Sequence, residues 1–269
     1  MKKLLYITIG LLSFASCEKS DLSTDQNSAN LPVVEAYLAS GQPVTLHIER
    51  QAPFETTDSL ALPIEGLRPI ISWNDEDYLL EETTPGTYGS GPNLIIQSDQ
   101  SYGLSFEYEG LEVSAQTLIP SRPAAFRASD SQLHFDTDNF PPSFPDPIQL
   151  DWENPENDYY QVGVQYAERD TVAIDFFGGN GDGEDNEGRP QFASNPQQSN
   201  SYELGFQDFQ YVGTHRVVLF HVTAEYVTLS QDASSDNTQN LTTPYTNISN
   251  GLGIFTGVGT DTIIVEITN

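Results

Sequence analysis

Short runs in which apolar and polar residues alternate, each closed by a turn, recur along this chain and constrain how it can bury itself. Val33 to Leu38, Val44 to Ile48, Arg68 to Trp73, Tyr102 to Tyr108 and Leu111 to Leu118 are alternating or rich in β-branched residues. A period of two sends successive side chains to opposite faces of a strand. Between these runs stand Ser40-Gly41, Asn74-Asp75, Pro85-Gly86, Gly91-Pro92 and Glu109-Gly110, dipeptides that turn a chain rather than extend it. With no helical period between them, strands at this spacing predict an all-β sandwich. Glu109-Gly110 lies between two alternating runs and predicts a hairpin in which Gly110 supplies positive φ.

The pattern breaks at Ile119-Pro120-Ser121-Arg122-Pro123, where two prolines remove ladder donors and fix an extended path. A domain boundary is expected there, dividing an N-terminal sandwich at 31–121 from a C-terminal one at 122–269. Beyond it, Leu133 to Phe135, Ile148 to Trp152 and Tyr159 to Tyr166 read as strands, with a Pro-rich loop at Asn139 to Pro147. The run from Ile148 to Trp152, then Asn154-Pro155 and the alternating Tyr160, Val162, Val164 and Tyr166, resembles the early strands of a fibronectin type III sandwich. Trp152 would be its core aromatic. Arg216 to Val227 begins as a strand, and its second half, Ala224 to Ser230, is open to a helix. Gln231 to Asn240 reads as a loop, and Ile263 to Ile267 as the last strand.

The first residues carry a different message. Lys2 and Lys3 precede an apolar run from Leu4 to Leu12, followed by Ser13, Phe14, Ala15 and Ser16. A charged start, an apolar stretch and small residues make a signal peptide, expected at residues 1–16. The run falls short of the roughly 20 apolar residues that span a bilayer. Cys17 follows the small residues directly and is the sole cysteine, so it has no internal disulfide partner. It is expected to carry the acyl chains that hold the protein on a membrane, since each buried CH₂ contributes about 0.8 kcal/mol. Glu18 to Asn30 has almost nothing to bury and is expected to serve as a tether, residues 17–30 in all.

Composition narrows the partners. The chain holds 39 acidic against 10 basic residues, a formal charge of −29, and Lys19 is its only lysine beyond the signal. Nucleic-acid binding rests on Lys and Arg neutralising phosphates, so that class is excluded. A surface this acidic suits a saline exterior, where screening mutes self-repulsion.

A search for catalytic chemistry yields little. No Gly-x-Ser-x-Gly elbow is present. His47, His134, His215 and His221 are the only imidazoles, and no pattern marks a Ser-His-Asp triad. On a strand, His215 and His221 share a face roughly 20 Å apart, too far to clasp one ion together, and are expected to be partly exposed. One stretch has a metal flavour: Asn180, Asp182, Glu184 and Asn186 alternate with glycine or acidic residues on a Gly-rich loop, and Ca²⁺ favours such oxygen ligands. The run departs from the EF-hand pattern, and a solvated acidic loop is the competing reading. Gly251 to Gly259 carries four glycines without a dinucleotide fingerprint, and backbone packing in turns accounts for it. Asp58-Ser59-Leu60, Asp170-Thr171-Val172 and Asp261-Thr262-Ile263 match a short O-glycosylation pattern of Bacteroidota envelopes.

Several segments together resemble a family of Bacteroidota envelope lipoproteins labelled only as domain of unknown function 4249. These are Leu31 to Leu38, Gly41 to Leu46, Gly86-Thr87-Tyr88, Tyr102-Gly103-Leu104, Thr117 to Pro120 and the closing run from Asn247 to Phe255. The resemblance implies two β-sandwich domains on an outer-membrane lipid anchor, in the company of a TonB-dependent barrel; separately, the acidic start Glu18-Lys19-Ser20-Asp21 resembles the signal that sends Bacteroidota lipoproteins to the outer leaflet, so a cell-surface face is expected. It supplies no catalytic residues. The expected role is that of a non-catalytic accessory or binding component. A stand-alone module for glycans or peptides is the alternative, and a hydrolase using paired carboxylates the more remote one.

Overall fold

The alternating runs become strands because each can turn one apolar face inward. The computed structural model describes residues 30–51, 62–135, 145–168, 172–173, 190–234 and 245–268. In chain order the strands are β1 (Pro32–Ala39), β2 (Thr45–Arg50), β3 (Ile70–Trp73), β4 (Glu76–Leu79), β5 (Glu81–Thr84), β6 (Thr87–Gly89), β7 (Ser101–Tyr108) and β8 (Leu111–Leu118). There follow β9 (Ala124–Ala128), β10 (Gln132–His134), β11 (Ile148–Glu153), β12 (Tyr159–Tyr166), β13 (Val172–Ala173), β14 (Pro190–Ala193), β15 (Ser201–Leu204) and β16 (Tyr211–Val222). An α-helix, α1 (Ala224–Ser234), and a long strand, β17 (Leu252–Thr268), complete the described order. The fold is all-β and sandwich-like.

The described residues form three sheets. A ten-stranded sheet runs β14-β12-β16-β17-β1-β2-β6-β5, with β10 joined to β17 and β13 to β16. A four-stranded sheet, β4-β3-β7-β8, and a three-stranded sheet, β15-β11-β9, are separate. One buried cluster gathers Leu38, Leu46, Tyr88, Tyr102, Phe106 and Val113 between the four-stranded sheet and the β1-β2-β6 side of the large one. A second gathers Leu150, Trp152, Val162, Leu204, Val217 and Leu219 between the three-stranded sheet and the β12-β16 side. Trp152 is the buried core aromatic expected of it. The turn at Glu109-Gly110 has φ of 50° and 79° at its two residues, the paired positive values of a tight hairpin whose twist matches its strands.

The seventeen residues of β17 serve both cores. Its first part pairs in parallel with β1, from Val33 opposite Leu252 to Ala39 opposite Val258. Its remainder pairs antiparallel with β16, from Val222 opposite Val258 to Gly213 opposite Ile267. Phe255 joins the first core, while Val265 and Ile267 join the second. Just upstream, the segment from Asn247 is stitched into the N-terminal half of the molecule. The Asn247 side chain exchanges two hydrogen bonds with the Phe255 backbone, at 2.8 and 3.0 Å. Ser249 makes a backbone bridge to Ser114. The boundary expected at residue 121 therefore does not capture the whole path, because the chain returns to complete the N-terminal core.

The sequence expectation placed Gly251 to Gly259 in turns, and most of the run instead lies in β17. A Cβ at Gly253 would fall 2.0 Å from the Val34 carbonyl oxygen, at Gly257 2.5 Å from that of Leu118, and at Gly259 2.2 Å from that of Ser121. Backbone packing is indeed the reason for these glycines, but within a strand. They let β1 and the Leu118 to Ser121 linker lie directly against β17.

Candidate binding site at the junction of the sandwiches

The junction forms where β16 ends. Thr223 follows it and opens α1: its hydroxyl accepts from the Tyr226 N–H at 3.3 Å, an N-cap bond, and lies 2.7 Å from the Thr256 hydroxyl on β17. The helix start is thus tied to the shared strand. α1 covers Ala224 to Ser230, where the sequence left a helix open, and extends through Gln231 to Ser234, which read as loop.

His221 holds the junction on its inner side. Its Nδ1–H donates to the Ser121 carbonyl at 3.0 Å, its Nε2 lies 3.3 Å from an Asp158 carboxylate oxygen, and its ring stacks on Tyr160 at 4.7 Å. These partners come from the interdomain linker, the turn before β12, and β12 itself. The expectation of partial exposure fails for both strand histidines, since His221 is 7% exposed and His215 0%. The reason is visible in their parity. Val217 and Leu219 occupy the same face of β16 and point into the second core.

Ser121, His221 and Asp158 are therefore adjacent, but not as a catalytic triad. The Ser121 hydroxyl is 3.4 Å from Nδ1, the nitrogen already closer to a carbonyl. A nitrogen donating its proton has no lone pair with which to accept one from serine. What the arrangement can do is clamp linker to sheet.

Beside this clamp opens a cleft of about 710 Å³ between linker, β12 turn and helix start. Asp99, Glu156, Asp158 and Glu225 line it, with no Lys or Arg among the described residues of its walls. On the other side of the helix start lies an apolar hollow of about 170 Å³, bounded by Tyr37, Phe220, Val222, Tyr226 and Val258. A third depression, about 520 Å³, lies over the four-stranded sheet and is lined by Ser72, Ser105, Ser114 and Gln116.

The remaining sequence candidates fall elsewhere. Cys17, the proposed ligands Asn180, Asp182, Glu184 and Asn186, and the sites at Ser59 and Thr171 lie outside the described residues. Among the described residues no three His, Cys, Asp or Glu side chains converge as a metal cluster. His47 and His134 each bond a threonine hydroxyl at 3.1 Å and lie at the surface. Thr262 is exposed on β17, while Asp261 beside it accepts from Arg122 at 2.6 Å. Among the described residues no helix is long and apolar enough to cross a membrane.

His215 is a residue whose burial sequence reasoning missed. Its Nδ1–H donates to the Gly213 carbonyl at 2.9 Å, but Nε2 has no partner among the described residues, and the ring packs against Tyr166 and Phe209. Burial holds its pKa below the ordinary imidazole value, against the opposing pull of the Gly213 hydrogen bond, Glu266 and Glu168.

No family model matches this chain, and no curated protein matches it. Among solved structures it is similar to a variant of Salmonella alpha-2-macroglobulin, at 12% identity and a TM-score of 0.25. That comparison covers 89% of this chain and 15% of the other. The chain thus spans a small part of that protein's length, and so low a TM-score carries no argument.

Proposed function

We propose that this chain is a lipid-anchored envelope protein that binds rather than catalyses, standing at the outer membrane on Cys17 as an accessory to a TonB-dependent barrel. The acid-lined cleft at the junction is the observation that carries the binding role. Its four carboxylates surround a hollow lined by no Lys or Arg among the described residues, which favours a cationic surface on whatever enters. The anchor and its location rest on the apolar start, the lone cysteine after small residues and the polar tether. The barrel partner rests on the resemblance to the family labelled domain of unknown function 4249, and the cell-surface face on the likeness of Glu18-Lys19-Ser20-Asp21 to an outer-leaflet export signal.

The test is co-purification from gently solubilised membranes of the native host, with Cys17→Ser as the control. A barrel recovered with the wild-type chain, and a Cys17→Ser chain released to the soluble fraction with no acyl mass, are the expected results. Recovery of the wild-type chain alone contradicts the accessory role, and a membrane-bound Cys17→Ser chain contradicts the anchor.

A second reading, a stand-alone glycan-binding module, has its own support. The depression over the four-stranded sheet presents the polar side chains of Ser72, Ser105, Ser114 and Gln116, donors and acceptors of the kind that pair with sugar hydroxyls. A glycan array on the full chain separates the two, since an accessory to a barrel need retain no sugar.

A further inference from the structure

The apolar hollow beside α1 is built differently from the cleft. Its polar neighbours are already satisfied within the protein. The Tyr226 hydroxyl donates to Gln161 Oε1 at 2.8 Å, Gln161 Nε2 donates to the Ser194 carbonyl at 2.7 Å, and Thr256 bonds Thr223. What remains facing the hollow is apolar: the rings of Phe220, Tyr37 and Tyr226, and the branched ends of Val222 and Val258. Tyr37 and Tyr226 meet edge to face at 6.2 Å and form its rim. Tyr37 remains 45% exposed although it stands on a strand in the middle of the large sheet.

The volume limits what fits. About 170 Å³ is too small for a drug-sized molecule, whose pockets run to roughly 300–1,000 Å³. It suits one side chain, since an apolar cavity of about 150 Å³ accommodates benzene. Exposed tyrosine around a desolvated hollow is the usual composition of an anchor point between proteins. Charge selects the kind of segment that carries the anchor. Exposed Glu35 follows the same face of β1 as Tyr37, and Glu225 stands in the first turn of α1 next to Tyr226. The chain as a whole carries 39 acidic residues against 10 basic.

We propose that this hollow is a socket for a single aromatic or branched aliphatic side chain presented on a positively charged segment of a protein partner. The inference deepens the binding role proposed above and rests on it. The Tyr37 phenol is pushed up to about 12, by burial first and then by Glu35, so the rim stays neutral at physiological pH and the socket stays apolar.

Fluorescence anisotropy with the full chain and three dye-labelled peptides tests this: Lys-Lys-Phe-Lys-Lys, Lys-Lys-Ser-Lys-Lys and Glu-Glu-Phe-Glu-Glu. The first is expected to bind at least tenfold more tightly than either of the others, equivalent to about 1.4 kcal/mol. Val258→Phe fills the socket and Tyr37→Ser removes half its rim. Whichever variant keeps the parental melting temperature should bind the first peptide no better than the serine peptide. Equal binding of the phenylalanine and serine peptides would show attraction by charge alone and overturn the socket. Equal binding of the glutamate peptide overturns the choice of a cationic segment, and binding of none overturns the proposal altogether. Any of these failures leaves the co-purification result standing, because that experiment reads capture through any surface.

Discussion

Phe255 and Val265 lie on one strand yet are buried in different hydrophobic cores. A strand shared in this way makes the stability of each sandwich depend on the other. Phe255→Ala removes a fully buried ring and is expected to cost about 3–5 kcal/mol. Urea unfolding should show that loss as a lower midpoint for the whole chain, not for the N-terminal half alone.

The glycines of β17 give a sharper contrast. Gly259→Ala places a Cβ 2.2 Å from the Ser121 carbonyl oxygen, where neither backbone can yield cheaply. Crowding of this kind costs roughly 1–3 kcal/mol. At Gly103, also on a strand, the nearest atom to an added Cβ is 3.8 Å away and φ is not positive. Gly103→Ala is expected to change stability by less than about 0.5 kcal/mol. Thermal melts of the two variants side by side check the difference.

His215 should make the protein sensitive to mild acid. Its folded-state pKa is held below the ordinary value of 6.5, so unfolded chains take up the proton first as the pH falls. Stability from this residue is complete above about 6.5 and is lost below it, at no more than about 1.4 kcal/mol per pH unit for one proton. His215→Phe keeps an aromatic ring beside Tyr166 and Phe209 and forfeits the Gly213 hydrogen bond, worth about 1 kcal/mol. Melting curves of the parent and the variant should therefore converge as the pH falls from neutral into the acid range. Parallel curves would mean that His215 does not titrate differently in the folded state.

Local periodicity made much of this fold legible. β1 and β7 alternate strictly and β8 does so from Glu112 onward, and the hairpin at Glu109-Gly110 follows from its residues alone. The acidic edge strand β5, Glu81–Thr84, is exposed at every position, so no apolar period marked it. β17 was hidden for the opposite reason. Its glycines interrupt the alternation and read as turns, and only Ile263 to Ile267 retained a strand pattern. Its pairing with β1 joins residues far apart in sequence, which no local pattern encodes. The burial of His215 and His221 is encoded in their parity with Val217 and Leu219, but imidazole is polar and breaks the apolar period that marks a core face. The junction cleft brings together Asp99, Ser121, Asp158, His221 and Glu225 from four separate segments, and no spacing motif announces such a site.

Paired with β1 on one stretch and β16 on the next, β17 welds two sandwiches into one cooperative unit. The chain contains two tryptophans, and each reports on one core: Trp73 packs against the first and Trp152 is buried in the second. Urea unfolding followed by fluorescence in Trp73→Phe and Trp152→Phe variants isolates the two reporters. After correction for the stability change that circular dichroism gives for each variant, the two fluorescence midpoints are expected to coincide. Separate midpoints, with one core melting while the other stays folded, would contradict the claim.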